Sequence, residues 1–217
     1  MQSKRSMASA TAIPNRRNAH GRGVAEIYIG GAADGQSQLV VSYVKARQRA
    51  LLEGGAGVGR TATWFAHYDL DGVLEHCRAA LSQGDELVLV GHSWGSDAAL
   101  RVSHQLHGEV ALLAGVDPVM RPGGMFSNVT RRPDNAGLVA HVDARPRAFD
   151  RSDIVKATGV VLGGGLARTW READVTISTE LNHWAFAHMM AAPGSDGVSL
   201  QARINAAGWR AAANRAG

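Results

Sequence analysis

The chain has a single cysteine, Cys77, in 217 residues. An internal disulfide is therefore excluded, and nothing in the fold depends on an oxidising compartment. Long apolar runs are also missing: none approaches the roughly 18 residues that span a bilayer. Acidic residues are absent from the first 23 positions, which hold Lys4, Arg5, Arg16, Arg17 and Arg22. The formal net charge of +4 belongs to that stretch, because the remainder carries 18 basic residues against 19 acidic ones. A basic face for nucleic acid is thus not expected. The same stretch lacks the apolar centre of a secretory signal peptide. Residues 1–23 read as a flexible basic leader, on a chain that is cytoplasmic or exported without a cleavable signal. Histidine pairs at i, i+4 with an accompanying helical carboxylate are missing too, so no metal site is expected. No cofactor is called for.

With 45% hydrophobic and 19% charged residues, the chain has the composition of a soluble globular protein. Residues 24–217 suit one domain. Apolar runs alternate with amphipathic stretches. Val24–Ile29, Thr61–Ala66, Leu87–Val90, Val110–Val116, Leu138–Val142 and Asp174–Ser178 read as strands. Gln38–Glu53, Asp71–Ser82 with Asp71 as its cap, Ser96–Leu106 and Ser199–Asn214 read as helices. Such alternation implies an α/β fold with a mostly parallel central sheet flanked by helices. Cys77 falls on the apolar stripe of its helix and reads as a small core residue.

Chemistry concentrates in Leu87–Leu100, LVLVGHSWGSDAAL. An apolar strand, Gly91-His92-Ser93-Trp94-Gly95 and a helix follow one another, the context that a nucleophile elbow requires. Glycines flanking the serine remove side chains that would collide as strand and helix close. A serine hydroxyl is a weak nucleophile, so it needs a base, and the base needs a group that fixes its tautomer. The stretch Gly54–Thr61, GGAGVGRT, approaches a phosphate-binding loop, but arginine stands where lysine is required. It also follows a helix and precedes a strand, the reverse of the necessary order.

On GHSWG and its flanks the chain resembles the α/β-hydrolase superfamily, the lipases and esterases in particular. GVDPV and the NHWAFAHMM stretch make it loosely similar to lipase-like effectors of bacterial type VI secretion. The resemblance implies a Ser-acid-His order, with Ser93 the nucleophile and His183, after the last strand, the base. His188 is the reserve; His104 and His107 ride the helix that leaves the elbow, and His141 lies inside a strand. Two acids end suitable strands, Asp117 and Asp143. Asp117 is preferred because GVDPV is similar to the Asp-Pro turn of a subset of lipases; Asp97 and Asp153 are weaker candidates. The resemblance also implies an oxyanion hole from the Trp94 N–H and from Gly31 or Ala32. Residues 118–137 form a possible lid or substrate loop, with Met120, Met125 and Phe126 as an apolar underside.

The expected activity is hydrolysis of carboxylic esters, lipid or acyl, through an acyl-enzyme. The alternatives are a thioesterase or acyltransferase using the same triad, and a catalytically silent hydrolase fold that serves as an interaction module. The expected partner is a small ester or lipid; oligomeric state is not legible.

Overall fold

In the computed structural model the described residues are 23–53, 59–120, 130–147 and 166–207. Six strands form one sheet: β1 (Val24–Gly30), β2 (Arg60–Ala66), β3 (Glu86–His92), β4 (Val110–Val116), β5 (Ala136–Ala144) and β6 (Val175–Thr179). Their spatial order is β2-β1-β3-β4-β5-β6, and every neighbouring pair is parallel. The α/β fold expected from the sequence is present.

The described helices are α1 (Asp34–Ser37), α2 (Leu39–Glu53), α3 (Leu70–Ser82), α4 (Trp94–Gln105), α5 (Arg168–Arg171), α6 (Phe186–Ala191) and α7 (Leu200–Ala206). Side chains alternate across each strand, and two apolar cores result. Ile27, Ile29, Leu87, Leu89 and Leu113 face α3, α4 and Trp170 of α5. Tyr28, Val88, Val90, Ala114, Val142 and Ile177 face α2, α6 and α7. Both faces of the sheet are covered, as an all-parallel sheet requires. One register shift between β3 and β4 pairs Leu87 with Val110 but Val88 with Leu112. It switches the alternation, so that Val110 belongs to the first core and Leu112 to the second.

Several boundaries differ from the sequence reading. The cap of α3 is Asp69, whose carboxylate accepts from the Gly72 N–H at 3.2 Å; Asp71 sits inside the first turn. There its negative charge still favours the helix N-terminus. Helix α4 opens at Trp94, directly on the elbow, and a short α1 follows the glycine loop. Strand β5 begins at Ala136 because Ala136 and Leu138 pair with Val110 and Leu112. The leader to residue 22, the centre of 118–137, most of 145–165 and the chain beyond 207 lie outside the described residues.

Candidate active site

Chain order and sheet order together locate a topological switch point. From β1 the chain moves outward to β2, then returns past β1 to β3 and continues the other way. Adjacent strands β1 and β3 therefore flank the topological switch point, and ligands of open α/β sheets bind at the carboxyl ends beside it. The glycine loop leaves β1 at that point, and Ser93 leaves β3.

Ser93 holds φ 53° and ψ −124°, a conformation that strongly favours glycine, and it caps α4. Such backbone strain, of order 1–3 kcal/mol, persists only where the surroundings over-determine it. Here the surroundings are close. A Cβ on Gly91 would lie 2.3 Å from the Gly95 carbonyl oxygen, and one on Gly95 2.1 Å from that of Ile29. Both glycines of the motif are thus demanded by backbone approach. The Ser93 N–H donates to the Val116 carbonyl at 3.1 Å, and its own carbonyl accepts from the Val119 N–H at 3.3 Å. The turn is tied to the end of β4 on both sides.

Asp117 follows β4 with φ 43°, a left-handed conformation that aspartate tolerates. Its N–H donates to the Val142 carbonyl at 2.7 Å, and its Oδ1 accepts from the Ala144 N–H at 3.3 Å. Its Oδ2 meets His183 Nδ1 at 2.6 Å, with both residues buried. A carboxylate oxygen only accepts, so Nδ1 carries the hydrogen and Nε2 of the neutral ring is left with its lone pair. Asp143 is placed otherwise: it lies within β5, and its Oδ2 pairs with Arg145 Nε at 2.5 Å. No hydrogen bond joins Ser93 Oγ to the His183 ring among the described residues.

The glycine loop presses on the serine from the β1 side. A Cβ on Gly31 would sit 2.8 Å from Ser93 Cβ and 3.4 Å from its Oγ. Behind the loop lies Asp34, buried, which the sequence reading passed over. Its Oδ1 accepts from the Val40 N–H at 2.8 Å and its Oδ2 from Trp64 Nε1 at 2.7 Å. The carboxylate therefore stands at the N-terminus of α2, where the helix dipole favours it, and ties loop, helix and β2 together. Ala32 is exposed. The Trp94 N–H lies in the first turn of α4, where no intrahelical carbonyl is available to it.

Aromatic rings flank the serine. Trp94 meets His67 at 5.6 Å between centroids, and His67 meets Tyr68, which is 77% exposed. Trp184 packs on His183 at 5.3 Å and is partly exposed. The remaining candidates are elsewhere. His188 is exposed on α6, and His104 bonds the Arg131 carbonyl. His107 is exposed, His141 is buried inside β5, and Asp97 pairs with Arg101 at 2.8 Å on α4. Asp153, Met125 and Phe126 fall outside the described residues, whereas Met120 joins the first core. Arg60 of the misleading glycine stretch is engaged in an ion pair with Glu26 at 2.7 Å. Burial raises the Cys77 thiol to about 12, which fits a core residue. Among the described residues no His/Cys/Asp/Glu group suited to a metal ion occurs, and no helix is long and apolar enough to cross a membrane.

No family model matches the chain, and no curated protein does. Among solved structures it is similar to Est1E from Butyrivibrio proteoclasticus, at 13% identity and a TM-score of 0.41. That match covers 76% of this chain and 82% of that one. It is also similar to the esterase domain of a Rhodothermus marinus protein, at 16% identity and a TM-score of 0.37, over 69% of this chain and 89% of that one. Both likenesses are of fold, to esterase structures.

Proposed function

We propose that the protein is a serine ester hydrolase in which Ser93 is the nucleophile, His183 the base and Asp117 the acid. One observation carries the reading: a buried His183–Asp117 pair at 2.6 Å converges on the strained turn that presents Ser93. Burial and pairing fix the histidine tautomer, which is what a general base beside a serine requires.

In this mechanism Ser93 Oγ attacks the carbonyl carbon of a carboxylic ester while His183 Nε2 takes its proton. Asp117 holds the imidazolium that forms. The N–H groups of Trp94 and of the Gly31–Ala32 loop receive the negative oxygen of the tetrahedral intermediate. The intermediate collapses to an acyl-enzyme, and the leaving alcohol departs with the proton from His183. Water, deprotonated by His183, then attacks the acyl carbon; Ser93 leaves and regains its proton as the carboxylic acid is released. Catalytic hydrogen bonds are commonly long before substrate binds and tighten in the complex, so the free geometry of Ser93 Oγ is compatible with this role. The aromatic side chains at the rim suit an acyl or lipid ester.

The test is hydrolysis of nitrophenyl esters of graded acyl length, alongside labelling by a fluorophosphonate. The wild type is expected to turn over and to label at Ser93. Ser93→Ala is expected to lose labelling and about 10⁶-fold in kcat, the scale of a lost nucleophile in a triad, while melting at the wild-type temperature. Undiminished turnover by Ser93→Ala would overturn the reading.

A further inference from the structure

His92, the variable position inside the Gly-x-Ser-x-Gly motif, has a place that the mechanism above leaves unused. It is the last residue of β3 and is buried. Its Nε2 lies 2.9 Å from the backbone carbonyl of His183, across 91 residues of sequence. A carbonyl only accepts, so Nε2 carries the hydrogen and Nδ1 is a bare lone pair. Its ring lies against the His183 ring, tilted by 33° with centroids 4.7 Å apart, and meets Phe186 in an edge arrangement at 5.3 Å. Among the described residues Nδ1 has no hydrogen-bond partner.

We propose that His92 is a positioning residue for the base: its N–H and ring fasten the His183 loop to the strand that carries Ser93. The inference rests on the serine-hydrolase reading above and deepens it. Ser93 and His183 reach the site on separate segments, and a base misplaced by about 1 Å costs on the order of a hundredfold in rate. One residue before the nucleophile, His92 donates to the backbone of the base and packs against its ring. The spacing between nucleophile and base is then set by a single strand end, not by two loops moving independently. The ring must be neutral to do this. A second proton on Nδ1 would be buried without an acceptor and would put a charge 4.7 Å from His183. Among the described residues the charged or titratable groups acting on His92 are His183 and Asp117. Burial, with the His183 ring adding to it, pushes the His92 imidazolium down to about 3, so the ring carries no charge at working pH.

Two variants separate the donor from the ring. His92→Phe keeps an aromatic ring and removes the N–H; His92→Gln removes the ring and keeps an amide N–H near the same place. For His92→Phe, kcat and the rate of fluorophosphonate labelling of Ser93 are expected to fall together by about ten- to a hundredfold, with KM within about twofold. His92→Gln is expected to recover most of that loss. A residue that only fills space would lower the melting temperature in both variants and leave kcat of the folded protein unchanged. That outcome, or a glutamine variant no better than phenylalanine, would overturn the proposal. An independent measurement needs no variant: nitrogen-15 NMR of the wild-type histidines is expected to show His92 as the neutral Nε2–H tautomer from pH 5 to 8. A protonated or Nδ1–H ring would equally overturn it. Failure of the underlying reading is distinguishable, because it shows in the wild type and Ser93→Ala before any change at His92.

Discussion

Two buried carboxylates lie at opposite ends of the sheet, and their surroundings differ in kind. Glu26, near the amino end of β1, is completely buried and bonded to Arg47 and Arg60, each at 2.7 Å, and to the Tyr28 hydroxyl at 2.8 Å. Arg60 also donates to the carbonyls of Ile204, Asn205 and Ala207 at the end of α7, and Arg47 to the Asn205 side chain. Asp117, past the carboxyl end of β4, meets the His183 ring and the Ala144 N–H. Burial alone would raise the Glu26 carboxyl, but the hydrogen bonds and charges of Arg47 and Arg60 outweigh it and hold it below its ordinary value. A carboxylate closed by two fixed cations has no proton to move. One joined to a histidine stabilises a charge that appears only when that histidine accepts a proton. The amino end therefore suits stability, and the carboxyl end suits chemistry.

The sharpest way to break this comparison is to neutralise each carboxylate in turn. Asp117→Asn keeps the shape but offers His183 an amide, which favours the wrong tautomer. On the serine-hydrolase reading kcat falls by about 10⁴-fold, the scale known for such a change in a triad, with little change in melting temperature. Asp143→Asn weakens a partly exposed pair with Arg145, away from the His183–Asp117 pair, and leaves kcat within about twofold, since such pairs contribute about 0–1 kcal/mol. Steady-state kinetics of the two variants measures the contrast, and equal losses would remove Asp117 from its role.

These two aspartates also show where sequence reading stops. The elbow is legible because its requirements are local: a strand before, a helix after, and glycines where backbones touch. His183 and both acids are legible as residues at or near strand ends, where working residues of parallel sheets gather. The difference between the acids is not local. Asp117 stands beyond its strand in a left-handed turn and reaches His183, whereas Asp143 is still inside β5 and turns to Arg145. His92, Asp34 and Glu26 form no local motif, because the groups they hold on His183, Trp64 and Arg60 lie 91, 30 and 34 residues away. Glu26 did leave a signal, as a charge in the middle of VAEIYI. A buried strand carrying a carboxylate requires a cation opposite it.

Glu26→Gln tests the other half of the comparison. It leaves Arg47 and Arg60 largely buried without a counter-charge, and breaking a buried pair in this way costs about 3–5 kcal/mol. Urea unfolding near neutral pH is expected to show that loss, with kcat of the folded protein unchanged. The acid side supplies the sign. A carboxyl held below its ordinary 4.5 in the folded state binds fewer protons there than in the unfolded chain. Its stabilisation is thus present above about that pH and is lost as pH falls through the folded-state value. The glutamine variant lacks this component, so its stability declines less steeply in acid than the wild type's. Parallel acid curves would remove Glu26 from the account of stability.

The smallest expected effect distinguishes space at the site from space a few residues away. Gly31 lies in the loop after β1 and Gly35 four residues on in α1, yet a Cβ at Gly31 would press within 2.8 Å of Ser93 Cβ and 3.3 Å of the His92 carbonyl oxygen. At Gly35 it would meet nothing within 4 Å. Gly31→Ala must displace either the loop or the serine, both of which the proposed mechanism assigns to the geometry that receives the oxyanion. On the proposed mechanism kcat falls by about tenfold, and KM changes less, because the displaced groups act on the tetrahedral intermediate more than on bound ester. Gly35→Ala lies in a helical turn, where alanine is favoured over glycine by about 0.5–1 kcal/mol; it is expected to raise the melting temperature slightly and leave kcat alone. If both variants kept wild-type kcat, the loop would be a neighbour of the serine and not part of its oxyanion site, and the donors would have to be sought at the N-terminus of α4 alone.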